Sequence, residues 1–209
     1  ATSANGEVKY TNQQSVKNLT STNNATVILY AKWTAKSVKV TFHRNINSSD
    51  TTTATQTFTY DVSNQSFSNK NWSKTGYILS GWSHDKNATT KTYDTLSGVI
   101  NSWINTYSPS TDLYAVWKPI TYKVEYNGNG ATSGSTASSS HTYDQVKNLT
   151  ANGFSKTGYT FAGWATSSNG EVKYIDKQSV TNLTTTNNAT VILYAKWTAN
   201  KYTITYNAN

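Results

Sequence analysis

The most regular pattern of hydrophobic and polar positions lies in the middle of the chain. Tyr122, Val124 and Tyr126 alternate with polar or charged residues, and this two-residue period is typical of a strand with one buried face. The run Asn-Gly-Asn-Gly follows at 127–130. Because Asn and Gly adopt the positive φ angles of tight turns, the pattern predicts a strand that ends in a turn.

Further strands are predicted at 158–164, where aromatic residues alternate between glycines, and at 190–197. A shorter extended piece is predicted at 141–143. The segment 190–197 differs from the others because it is hydrophobic on both faces, with Val191, Leu193, Ala195 and Trp197 on one and Ile192 and Tyr194 on the other. Burial on two sides predicts a central strand.

Helical periodicity is clearest between Asp94 and Tyr107. Five hydrophobic residues there follow the i, i+3, i+4, i+7, i+8 spacing of one helix face: Leu96, Val99, Ile100, Trp103 and Ile104. The matching region at 176–183 is shorter and predicts one or two helical turns. Together these patterns predict a β-dominated α+β fold, with a four- or five-stranded mixed sheet and one short helix packed on it.

The chain repeats itself. Residues 1–34 return at 165–198 with six differences, and the ending Leu-Tyr-Ala-x-Trp occurs at 29–33, 113–117 and 193–197. Near-identity at a fixed offset indicates a tandem array. The predicted domains are a truncated unit one (1–35), a divergent complete unit two (36–118), a complete unit three (119–199) and the first strand of a following unit (200–209).

Unit one lacks the first strand and the Gly-Tyr strand of the other units, so it is not expected to fold alone. It either packs on unit two, or borrows strands from another molecule, or shows that the structural unit is permuted relative to the sequence unit. The tail 202–207 matches 122–127, which makes head-to-tail strand donation between molecules a hypothesis. A counterpart of 131–164 would still be absent from the completed unit.

Composition restricts the class of protein. Only 13% of residues are charged and 35% are hydrophobic, while seven Trp and fifteen Tyr give each small core its area. The sequence has no cysteine for disulfides or metal sites and no apolar run long enough for a membrane span. The net charge is +8, but Arg44 is the only arginine. This argues against nucleic-acid binding, which relies on arginine forks, and leaves anionic wall polymers as a candidate partner.

Two motifs mark unit three, Gly-Tyr-x-Phe-x-Gly-Trp at 158–164 and Leu-Tyr-Ala-Lys-Trp at 193–197. Together they resemble the Listeria-Bacteroides repeat, also called the internalin B-repeat. The resemblance implies small β-grasp-like domains in tandem on secreted or wall-attached bacterial surface proteins, with the first and last strands adjacent at the sheet centre. It implies no catalytic residues. Unit two departs from the pattern at 42–47, which predicts different loops there and makes unit two the candidate for any specialised role.

Candidate chemistry is sparse. The three histidines and ten acidic residues are dispersed without ligand spacing, so we expect no catalytic site, metal or cofactor. Trp72 and Trp103 occur in unit two alone. They are therefore the candidate ligand-binding residues, through stacking on a sugar ring, with packing in the core of unit two as the alternative.

Two functions remain in consideration. The first is a non-enzymatic stalk on a bacterial cell surface, in which neighbouring repeats contact one another and hold a separate binding domain away from the cell. The second is an adhesin module that binds host glycan, matrix protein or wall polymer through unit two. Both place the chain outside the cell.

Overall fold

The computed structural model describes residues 1–68 and 70–207, and it contains two four-stranded mixed sheets. Unit two is built from β1 (Ser37–His43), β2 (Thr53–Thr59), β3 (Tyr77–Ser83), α1 (Asn101–Tyr107) and β4 (Ser110–Pro119). Unit three is built from β5 (Thr121–Asn127), β6 (Ser133–Gly134), β7 (Ser139–Thr142), β8 (Lys147–Asn148), β9 (Phe154–Ser155), β10 (Tyr159–Ala165), β11 (Ser179–Val180) and β12 (Thr190–Ala199).

The first and last long strands of each unit lie side by side and run parallel. The sheet orders are β2-β1-β4-β3 and β10-β12-β5-β7, with β1 parallel to β4 and β5 parallel to β12. The edge strands pair antiparallel. The predicted central position of 190–197 and the mixed sheet are confirmed. Burial on both faces is wrong, however, because Leu193 is fully buried while Ile192 on the other face is 41% exposed.

Each sheet buries one face around a tryptophan. Trp82 in β3 and Trp164 in β10 are fully buried, at matching positions of the two units. Phe42 packs edge-to-face on Trp82 with ring centroids 4.7 Å apart, and Tyr126 lies 4.8 Å from Trp164. Because large aromatic rings bury much area per residue, they give a domain of this size a core despite its polar composition.

The predicted helix start at Asp94 is wrong, since α1 begins at Asn101. The segment 97–99 instead forms two backbone hydrogen bonds of 2.9 and 2.8 Å with the segment 65–67. Leu96, expected on the buried helix face, is 61% exposed. The polar backbone groups before the helix are thus satisfied by a distant segment, an option that local periodicity does not reveal.

The helical turns predicted at 176–183 are also wrong. Ser179 and Val180 form β11, which pairs antiparallel with β8. Val180 points its side chain into the core of unit three. Within residues 1–68 and 70–207, α1 of unit two is therefore the one α-helix, and that α-helix is not long and apolar enough to cross a membrane.

The divergent turn of unit two keeps the geometry of its counterpart. Asn45 and Asn129 both have positive φ angles, of 54° and 48°. Each amide donates to two carbonyl oxygens, at 2.9 and 3.1 Å for Asn45 and at 2.9 Å twice for Asn129. The expectation of a different loop therefore fails at this asparagine. It holds for the residues that follow, since 44–52 has no strand in place of β6 and carries an ion pair between Arg44 and Asp50.

Segment 1–36 contains turns but neither helix nor strand, and 200–207 likewise contains no strand. Trp33 is 92% exposed. Its counterparts Trp117 and Trp197 are half-buried, and each indole donates a hydrogen bond to a backbone carbonyl in the first turn of its own unit, at 2.8 and 2.9 Å. Segment 1–36 has no such turn to pack against.

Candidate functional site: the junction between units two and three

A single residue, Ile120, connects β4 of unit two to β5 of unit three. Its N–H donates to the carbonyl of Gly76 in unit two at 2.9 Å, and its carbonyl accepts from the N–H of Tyr143 in unit three at 3.0 Å. The Ile120 side chain is 2% exposed. The linker is therefore fixed to both units through its backbone and is buried between them.

Side chains of the two units also meet directly. The rings of Tyr77 and Tyr143 pack edge-to-face with centroids 5.9 Å apart. The Tyr77 hydroxyl donates a hydrogen bond of 2.8 Å to the carboxylate of Asp144. Asn182 holds that carboxylate in place, since its amide donates to the other oxygen at 2.8 Å and its own oxygen accepts from the Asp144 N–H at 2.7 Å.

Charge reinforces this contact. The Lys74 ammonium lies 4.1 Å from the centre of the Tyr77 ring, a cation–π contact. The hydrogen bonds from Asn182 and Tyr77 lower the pKa of Asp144 below its usual range. The hydrogen bond to Asp144, followed by partial burial, raises the pKa of Tyr77. The contact therefore persists until the pH falls through the lowered pKa of Asp144 or rises through the raised pKa of Tyr77.

Glycine is required at position 76 for two reasons. Gly76 has a φ of +74°, in the left-handed region that side chains disfavour. A β-carbon at this position would also overlap the ring of Tyr143. The matching Gly158 of unit three has a φ of +78°, yet a β-carbon there would meet no atom within 4 Å. The two glycines lie in equivalent turns, but Gly76 has a neighbouring unit packed against it and Gly158 has open space.

The two candidate tryptophans lie against the core of unit two. Trp72 packs edge-to-face on Trp82 at 6.0 Å, and Trp103 packs on Phe67 at 5.6 Å. Both are half-buried. Among the described residues, the indole nitrogen of Trp103 is buried without a hydrogen-bond partner. These contacts agree with the packing alternative, and the ligand-binding role of Trp72 and Trp103 stays a prediction.

Sequence reasoning did not single out the junction residues, although a signal exists. Lys-Thr-Gly-Tyr occurs at 74–77 and again at 156–159, and Thr-Tyr-Asp occurs at 59–61 and 142–144. These short motifs lie on loops and at strand ends, where periodicity carries no information. In the described part of the chain, no three His, Asp or Glu side chains gather as a metal site would require.

Similar proteins are known from bacteria. A provisionally named Gly-rich membrane protein of Evansella cellulosilytica is 33% identical over 141 residues, which is 66% of this chain and 16% of that protein. A provisionally named membrane protein of the same organism is 28% identical over 186 residues, 87% of this chain and 25% of that protein. The chain thus spans a quarter or less of the length of these relatives.

Among solved structures, the type 2 repeat of the mucus binding protein MUB from Lactobacillus reuteri aligns with 79% of this chain and all of that repeat. The sequence identity is 12% and the TM-score is 0.20. A similarity this low carries no conclusion about fold or function.

The match to a protein family, by contrast, covers most of the chain. The model of the Listeria-Bacteroides repeat domain matches residues 39–116 and again residues 122–196. These two matches cover the two sheets in order and confirm the resemblance seen in the sequence motifs. The chain therefore belongs to the Listeria-Bacteroides repeat domain family.

Proposed function

We propose that this chain is part of a non-enzymatic stalk, in which consecutive repeats are locked to one another and extend a bacterial surface protein. The observation that carries the proposal is the junction, where Gly76 and Tyr77 of unit two contact Tyr143 and Asp144 of unit three. A stalk needs repeats that do not pivot freely, and this contact opposes pivoting.

The physical reason lies in the length of the linker. Domains joined by flexible linkers move relative to one another unless a substantial contact holds them. Here the linker is Ile120 alone, and both its backbone groups are hydrogen-bonded. A repeat of about 80 residues spans roughly 30 Å, so each locked copy adds a length of that order to the reach.

We infer two finer features together with this function. The parallel pairing of first and last strands at the sheet centre supports a β-grasp-like arrangement in each unit. Membership of the family and the membrane-protein names of the relatives support an extracellular, cell-surface location. Head-to-tail strand donation stays a further hypothesis, supported by the exposed side chains of Ile28 and Ile204.

The stalk proposal is tested by measuring the distance between the two units in solution. The chain has no cysteine, so Thr57→Cys and Ser140→Cys provide two unique sites for spin labels. Both residues are exposed and occupy equivalent places, paired with Lys39 and Lys123 in edge strands. Pulsed electron–electron double resonance should give one narrow distribution of the distance between the two spin labels.

The matched variants are Tyr77→Ala and Tyr159→Ala. Each removes a tyrosine beside a lysine, with ammonium-to-ring distances of 4.1 and 4.4 Å. Within residues 1–68 and 70–207, however, only the Tyr77 side chain contacts another unit. Tyr77→Ala should broaden the distribution and Tyr159→Ala should leave it unchanged. A broad distribution in the unmodified chain would exclude a stiff stalk.

The alternative function, an adhesin module, is favoured by one feature of unit two. A cleft of about 360 Å³ lies at its divergent turn. His43 and Tyr114 stack in it with ring centroids 4.4 Å apart, and Lys86 and Asn87 lie beside them. Such a mixture of aromatic and polar groups suits a glycan or an anionic wall polymer.

A glycan array probed with the whole chain separates the two functions. Binding that is lost in Tyr114→Ala or in Trp72→Ala, but kept in Tyr194→Ala at the matching position of unit three, would support the adhesin. Absence of binding to glycans, matrix proteins and wall polymers would leave the stalk as the function of this chain.

A further inference from the structure

The two halves of the junction are each present a second time without a partner. One half is the corner at 74–77, with the sequence Lys-Thr-Gly-Tyr, which recurs at 156–159 at the far end of unit three. The other half is the corner formed by Tyr143 and Asp144, which recurs in unit two as Tyr60 and Asp61. We call Lys-Thr-Gly-Tyr, at 74–77 and 156–159, the donor corner. We call Tyr-Asp, at 143–144 and 60–61, the acceptor corner.

The second donor corner has the geometry of the first. Lys156 lies 4.4 Å from the centre of the Tyr159 ring, and Gly158 has the same left-handed φ as Gly76. The carbonyl of Gly158 accepts from the N–H of Asn200 at 2.9 Å, as that of Gly76 accepts from Ile120. The difference is exposure, because Tyr159 is 41% exposed and the space above Gly158 is open.

The second acceptor corner also keeps its geometry. Asp61 and Asn101 exchange hydrogen bonds of 2.9 and 2.8 Å, as Asp144 and Asn182 do at 2.7 and 2.8 Å. The N–H of Tyr60 donates to the carbonyl of Lys36 at 2.8 Å, which repeats the linker bond of the junction. One oxygen of the Asp61 carboxylate has no hydrogen-bond partner among residues 1–68 and 70–207.

A cleft lies at this second acceptor corner. Its volume is about 410 Å³, and it is lined by Lys36, Tyr60, Asp61 and Asn105 together with Trp33, Thr34 and Ala35. At the junction of units two and three the matching tyrosine, Tyr143, has Gly76 of the neighbouring unit against its ring. The cleft is therefore at the place that the donor corner of another repeat would fill.

We propose that the donor corner at Lys156–Tyr159 is a docking site for the acceptor corner of a following Listeria-Bacteroides repeat. The Tyr159 hydroxyl donates to the aspartate of that repeat and its ring packs on the adjoining tyrosine, while the acceptor corner of unit two receives a preceding repeat in the same way. The inference rests on the proposed stalk function and adds that one interface recurs at every step of the array.

The strength of this interface should depend on which residue occupies the linker position. Ile120 is buried at the observed junction, whereas Asn200 and Lys36 occupy the matching positions and are exposed. Burying an isoleucine stabilises a contact more than leaving a polar side chain in water. The docking at Tyr159 should therefore be weaker than that at Tyr77, and Asn200→Ile should strengthen it.

The test uses the full chain followed by a copy of residues 130–199. Residues 202–209 align with 122–129, so the added segment completes a unit whose acceptor corner repeats Tyr143 and Asp144. Spin labels at Ser140→Cys and at its copy occupy the places that Thr57 and Ser140 occupy across the observed junction. The two label pairs should give the same mean distance.

Tyr159→Ala is the deciding variant. It should broaden the new distribution about twofold, because an undocked unit moves freely on its linker, while leaving the Thr57–Ser140 distribution unchanged. Tyr77→Ala should do the reverse. Amide exchange in the copy of β12 verifies that the added unit folds, and Ala208→Gly, which restores the glycine of unit three at this turn, serves if it does not.

The outcomes separate the two proposals. A new distribution that is broad and insensitive to Tyr159→Ala, beside a narrow Thr57–Ser140 distribution, would overturn the recurring interface and leave the observed junction intact. A broad Thr57–Ser140 distribution would instead overturn the stalk function itself.

Discussion

The backbone of Gly76 in unit two lies directly against the aromatic ring of Tyr143 in unit three, so that no side chain fits between them. The contact joins residues that are 67 positions apart and that directly flank strands of different sheets, since Gly76 precedes β3 and Tyr143 follows β7. The spacing of units two and three therefore depends on the absence of a side chain at position 76.

The first prediction compares Gly76→Ala with Gly158→Ala. Both substitutions place a side chain at positive φ, which costs about 1 kcal/mol. Gly76→Ala also forces Tyr143 away and should open the junction, whereas Gly158→Ala should not. The inter-unit distance measurement checks this, and equal broadening in both variants would contradict it.

The second prediction concerns acid stability. His141 is buried in unit three, and burial, together with the charge of Lys147, lowers its pKa below the ordinary 6.5. Because the unfolded state then binds the proton more readily, stability contributed by neutral His141 is present above about pH 6.5 and is lost as the pH falls below it. Chemical denaturation of the whole chain should give a lower free energy of unfolding for unit three at pH 5 than at pH 7.5.

The matching position of unit two supplies the control. Phe58 pairs with Val38 as His141 pairs with Tyr122, and Phe58 is buried as well. The variant His141→Phe should reduce the loss of stability of unit three between the two pH values. An unchanged loss in that variant would assign the pH dependence to other groups.

The third prediction concerns the shared turn. Asn129→Ala loses two hydrogen bonds to carbonyl oxygens and keeps a positive φ, so it should destabilise unit three by about 3 kcal/mol. Asn129→Gly loses the same hydrogen bonds without the backbone strain and should cost about 1 kcal/mol less. Asn45 should show the same order in unit two, measured by denaturant unfolding.

The fourth prediction separates packing from binding at Trp103. Trp103→Ala removes ring contacts with Phe58, Phe67 and Tyr93 and should destabilise unit two by about 3 kcal/mol. Trp103→Phe should cost much less, because the indole nitrogen has no hydrogen-bond partner in the described residues. A stable Trp103→Phe chain that fails to bind a glycan bound by the unmodified chain would show a ligand role instead.

Strand positions could be predicted because they depend on the local pattern of hydrophobic residues. The segment 190–197 was expected at the sheet centre and forms β12 beside β5. The same reasoning placed a helix start at Asp94, where a distant segment in fact takes the backbone hydrogen bonds. The burial expected of Ile192 failed for a related reason, since its side chain is 41% exposed and no layer of the described residues covers that face of the sheet.

The sequence by itself determined the repeats, the strand pattern and the family, because these follow from residue identity and from periods of a few residues. Tertiary structure alone decided which loops meet. Lys-Thr-Gly-Tyr at 74–77 and at 156–159 is identical in sequence, yet among the described residues only Gly76 and Tyr77 pack against side chains of another unit. What distinguishes the two copies is a neighbour folded more than sixty residues away, and such a contact leaves no mark on the local pattern.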